Sequence, residues 1–88
     1  MLERINKTAK AVSEKTGATI SIQFDTTGYI NLQVYPAGWH DARARTEADD
    51  GTASREDWRI SRSSKHYNNL PVGAEGQAVV MEILEAML

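Results

Sequence analysis

Thr19-Ile-Ser-Ile-Gln-Phe-Asp-Thr-Thr-Gly-Tyr-Ile-Asn-Leu-Gln-Val-Tyr35 is the stretch that decides the fold. Ile20, Ile22 and Phe24 alternate with Thr19, Ser21 and Gln23. Ile30, Leu32 and Val34 alternate with Tyr29, Asn31, Gln33 and Tyr35. A period of two is the mark of a strand with one buried face, so 19–24 and 29–35 are predicted to form a hairpin. Opposed residues must point to the same face, which sets Phe24 against Ile30, Ile22 against Leu32 and Ile20 against Val34. Asp25 then faces Tyr29 around Thr26-Thr27-Gly28. A three-residue hairpin loop ends in a left-handed residue, and Gly28 stands there.

On the N-terminal side, Leu2, Ile5, Ala9 and Val12 recur at three- and four-residue spacing, which predicts a helix over 2–16. Gly17 is its expected stop, and Lys15 in the last turn suits the negative end of the dipole. Arg4, Lys7 and Lys15 lie opposite the apolar stripe, as a solvated face.

On the C-terminal side, Pro36-Ala37-Gly38 ends the second strand. Residues 40–57 carry no large apolar side chain from Asp41 to Asp57. They read as a mobile polar loop or, through the alternation of Ala42, Ala44, Thr46 and Ala48 with charged neighbours, as a projecting β-ribbon. Trp58 and Ile60 alternate with Arg59 and Ser61, which places a third strand at 56–62 with Trp58 in the core. Residues 74–88 read as a helix whose apolar positions span an arc about 200° wide, roughly twice what a surface helix needs. Such a helix is either sunk between two layers or shared with a second chain. The expectation is a homodimer through Val80, Leu84, Met87 and Leu88. The fold class is therefore α+β: a helix, a three-stranded antiparallel meander and a helix (αβββα), with both helices on one face of the sheet.

The element order resembles that of double-stranded RNA-binding domains. Such a domain implies lysines at the start of its second helix, where they grip phosphates across a groove. Here that position reads Gly73-Ala-Glu75-Gly-Gln77, with an acid where bases are expected. The resemblance covers element order and carries no motif.

Eighty-eight residues make one domain. The chain has no cysteine, which favours a reducing compartment. Its longest apolar run, Ala78 to Met81, is too short to be a signal peptide or to span a membrane, so a cytoplasmic location is expected. The formal charge of −2 disfavours binding that depends on phosphate neutralisation. No Gly-x-Ser-x-Gly, His-Glu-x-x-His or glycine-rich phosphate loop is present. His40 and His66 are too few for a metal site without cysteine, and Asp49-Asp50 reads as a solvated turn. No enzyme activity, metal or cofactor is expected.

The expected function is that of a small non-enzymatic protein-binding module, an inhibitor or adaptor of the kind found as phage or mobile-element accessory proteins. Its partner surface is read as Tyr29, Tyr35, Trp39, Arg59 and Arg62, because aromatic and arginine side chains gain most on burial at an interface. The alternative is a nucleic-acid-binding module using Arg43, Arg45, Arg59, Arg62 and Lys65.

Overall fold

A computed structural model describes all 88 residues. The predicted hairpin is its centre. Strands β1 (Thr19–Phe24) and β2 (Tyr29–Tyr35) pair antiparallel, with Ile20 opposite Val34, Ile22 opposite Leu32 and Phe24 opposite Ile30. The turn is held by the Asp25 carboxylate. Its Oδ1 accepts hydrogen bonds from the Thr27 N–H, the Thr27 hydroxyl and the Tyr29 N–H at 2.9, 2.7 and 3.1 Å. Gly28 has φ 94°, the left-handed residue this loop requires.

Helix α1 (Leu2–Thr16) ends where predicted. Gly17 is left-handed at φ 76°, and its N–H closes the last turn on the Ser13 carbonyl. Ile5 and Val12 are buried on β2's apolar face, against Ile30, Leu32 and Val34. The last helix, α4 (Ala74–Glu85), lies on the same face and adds Val80, Met81 and Leu84 to one continuous core. It touches both α1 and the third strand. The αβββα order with both helices on one side of a three-stranded antiparallel sheet is thus the fold, with sheet order β1-β2-β3.

Between β2 and β3 the structure departs from the sequence reading. Residues 40–57 are neither loop nor ribbon. Trp39–Ala48 form helix α2, and a short turn leads to helix α3 (Arg55–Ser61). The third strand is not at 56–62 but at Lys65–Pro71 (β3). The reason is local. Ser54 and Asp57 form a reciprocal capping box, in which the Ser54 hydroxyl accepts from the Asp57 N–H (3.1 Å) and the Asp57 carboxylate accepts from the Ser54 N–H (2.9 Å). That nucleates a helix where the alternation of Trp58 and Ile60 suggested a strand. In α2 the buried positions are Ala42 and Thr46, and in α3 they are Asp57 and Ser61. Each pair is four apart, the helical spacing, but none of the four is a large apolar residue.

The two helices contact each other and barely touch the remaining elements. They form an arm. The Cα radius of gyration is 14.8 Å, against about 12 Å for a compact chain of this length. The extents of 46 × 29 × 15 Å are those of a long, thin body.

Candidate functional site

With α1 and α4 covering one face, the other face of the sheet is open. Strand pairing fixes its membership: Thr19, Ser21 and Gln23 from β1, Tyr29, Asn31, Gln33 and Tyr35 from β2, and His66 and Pro71 from β3, opposite Gln33 and Tyr29. Neither β1 nor β2 contains a lysine, arginine, aspartate or glutamate.

One end of this face is aromatic. The Tyr35 ring lies 4.6 Å from Trp39, 5.6 Å from His40 and 5.8 Å from His66, centroid to centroid, and His40 meets Trp39 edge-on at 5.2 Å. The Tyr35 hydroxyl donates to Gln33 Oε1 at 2.8 Å. The Trp39 indole N–H donates to the Ser61 carbonyl at 3.0 Å, tying the start of α2 to the end of α3. Tyr35 and Trp39 are half-buried, so this cluster both roots the arm and edges the open face.

Of the five residues read as a partner surface, Tyr35 and Trp39 come together. Tyr29 is exposed at the opposite end of β2, about 20 Å away at the usual rise per residue. Arg59 and Arg62 do not border the open face on a third strand, because that segment is α3 and the residue capping it. Arg59 is paired with Glu56 three residues back, and the Arg62 guanidinium sits 5.6 Å from the centroid of the Trp58 ring. Trp58 itself is 43% exposed, not core as expected, since α3 turns Asp57 and Ser61 inward and carries residue 58 off that face.

The basic set of the nucleic-acid alternative is largely matched by acids. Arg43 pairs with Glu47 at 2.7 Å. Arg45 grips Asp57 with two parallel bonds, Nε to Oδ2 at 2.9 Å and Nη2 to Oδ1 at 2.8 Å. That guanidinium, with the Ser54 backbone N–H next, holds the Asp57 carboxyl far below the usual aspartate range. The Arg45 pKa is raised in turn by the same bonds. Of the five bases, Arg62 and Lys65 have no acid partner. The start of α4, where the resemblance to RNA-binding domains implies lysines, presents Glu75 and Gln77, the latter donating to the Val72 carbonyl at 2.9 Å.

The residues read as a dimer interface are split. Val80 and Leu84 are wholly buried in the chain's own core and have no surface to offer a second copy. The wide apolar arc has the first of its two explanations, a helix packed on the sheet and on α1 at once. Met87 is half-buried and Leu88 exposed.

Two features escaped sequence reasoning. One is the arm. The other is an open apolar cleft of about 620 Å³ on the helical side, at the arm's root, lined by Val34, Pro36, Tyr67, Ile83 and Met87 with Lys65 and Glu82 among its polar groups. No sequence signal marks it, because its walls come from four separate segments of the chain. No three histidine, aspartate or glutamate side chains gather as metal ligands. No protein-family model, curated protein or solved structure matches this chain.

Proposed function

We propose that the protein is a non-enzymatic protein-binding module, of the inhibitor or adaptor type, that holds its partner on the open face of the sheet. The observation carrying this reading is a flat face free of lysine, arginine, aspartate and glutamate in its two longest-paired strands, with tyrosines at both ends and an aromatic cluster at one. Interface cores are poor in charge and rich in Tyr, Trp and Met, because these bury large areas without stranding an ion. A sheet presents such side chains already ordered, so little entropy is lost on binding. Amide and hydroxyl groups such as Gln23, Asn31 and Ser21 give a protein partner hydrogen-bonding groups to match.

The test is capture from extracts of the native host with face variants beside a control. Tyr29→Ala and His66→Glu change exposed positions on the open face, and Glu75→Ala changes an exposed position on α4. Each face variant should weaken the captured partner's binding by about 1–2 kcal/mol, the range of an interface residue near a hot spot, while the control binds normally. Equal binding by all three would place the interface elsewhere. Titration with single- and double-stranded nucleic acid should show only weak binding; tight, steeply salt-dependent binding would favour the nucleic-acid alternative.

A further inference from the structure

The two edges of the sheet are built differently. Strand β3 begins with Lys65 and ends with Pro71, its register with β2 breaks between Ile30 and Leu32, and Asn69 is left-handed at φ 62°. The Asn69 N–H is taken by the Asn31 side chain at 3.0 Å. Charge, proline and a bulge are the devices that stop a strand edge from pairing with another chain. Strand β1 has none of them. Its six residues, Thr-Ile-Ser-Ile-Gln-Phe, include no charge, proline or glycine, and all six pair with β2 without a register break.

The backbone groups on the far side of β1 are unpaired. Asp25 donates its N–H to the Tyr29 carbonyl at 3.0 Å, which makes Asp25 and Tyr29 a hydrogen-bonded pair. Such pairs alternate along an antiparallel ladder, so Ser21 and Gln23 bond to β2 while Ile20, Ile22 and Phe24 turn their N–H and C=O groups outward. Beyond the ladder with β2, no backbone group of residues 19–24 has a partner within the chain.

We infer that this edge pairs with β1 of a second copy, joining two three-stranded sheets into one of six. The edge complements itself. A two-fold axis through Ile22 sets Ile22 against Ile22 and Ile20 against Phe24, so all three outward-facing residues form hydrogen-bonded pairs at once. On the helical side only apolar side chains meet, and Phe24, 49% exposed in the single chain, is covered by Ile20 of the other copy. On the open side Ser21 meets Gln23. No charged residue lies between Ile20 and Phe24 in the seam, and Asp25 meets Thr19 of the other copy only at its exposed ends. The axis stands perpendicular to the sheet, so both open faces lie on the same side and form one double-length surface. This pairing is independent of what that surface binds.

Amide exchange read residue by residue, over a dilution series checked by sedimentation, tests it on the unaltered protein. The expected result is a dimer at high concentration in which the Ile20, Ile22 and Phe24 amides are protected like those of Ser21 and Gln23, with that protection lost as dilution yields monomer. Phe24→Lys should weaken association by about tenfold or more, since the change is counted twice across the axis, with the circular-dichroism spectrum retained. His66→Lys, on the other edge, should associate normally. A chain that stays monomeric into the high micromolar range, or a dimer in which those three amides exchange freely at every concentration, would overturn the inference. The exchange result decides it even if Phe24→Lys fails to fold.

Discussion

Asp57 carries more of the arm than any other residue. It caps α3, grips Arg45 with both oxygens and is only 7% exposed. The cap and the Arg45 pair both depend on the ionised carboxylate. Its folded pKa is held below the ordinary 3.8, so its stabilisation is complete above about pH 5 and is lost as pH falls through the acid range below that value. Asp50 and Glu56, also in or beside the arm, are lowered too, by Thr52 and by Arg59, and act in the same direction. Both tryptophans of the chain, Trp39 and Trp58, lie in the arm, so tryptophan fluorescence reports on it selectively. On acidification the fluorescence transition should precede the loss of strand signal in circular dichroism. Asp57→Asn should loosen the arm at neutral pH and flatten that early transition. A second residue-scale prediction concerns Gly76. Helix propensity alone says that Gly76→Ala in α4 would stabilise by up to about 1 kcal/mol. A Cβ there would overlap the backbone carbonyl of Pro71, so the change should instead destabilise by about 1–3 kcal/mol in thermal or denaturant unfolding. Gly73, with nothing near its missing Cβ, is the control.

At the scale of elements, legibility followed the size of the buried side chains. The hairpin was legible down to its register because Ile, Leu, Val and Phe alternate and because Asp25 and Gly28 mark its turn. Helix α1 was legible from Ile5, Val12 and Gly17. The arm was not, because its helices bury Ala42, Thr46, Asp57 and Ser61, and residues so small or polar leave no hydrophobic period. The one available signal was the Ser54–Asp57 capping box, which the Trp58 and Ile60 alternation masked. β3 was missed because Lys-His-Tyr-Asn-Asn-Leu-Pro alternates poorly across its bulge. As for the candidate site, Tyr35 and Trp39 could be read as exposed aromatics near one sheet, but Arg59 and Arg62 were misplaced with the strand that proved to be a helix. The ion pair and the indole bond join the arm's two helices to each other, and few contacts join either helix to the sheet, so the arm should open by itself. Amides of residues 42–48 and 58–61 should therefore exchange faster than the ladder amides of β2. Equal protection would mean that the arm and the sheet unfold as one unit.

The whole molecule is a thin plate with one closed and one open side. The closed side holds the core, where Ile5, Val12, Val80 and Leu84 meet β2. The open side carries tyrosines, amides and hydroxyls, with an aromatic cluster where the arm departs. Apart from Asp25 in the hairpin turn and Lys65 at the start of β3, the formal charges lie on α1, α4 and the arm, where three arginines are matched by neighbouring acids. This division of the surface is the basis for assigning the open side to a protein partner. It is tested most directly by oxidative side-chain footprinting of the protein alone and bound to its captured partner. The account predicts protection of Tyr29, Tyr35, Trp39 and His66, with Trp58, Met87 and Leu88 unchanged. Protection confined to Trp58, Met87 and Leu88, with the tyrosines of β2 as reactive as in the free chain, would contradict it.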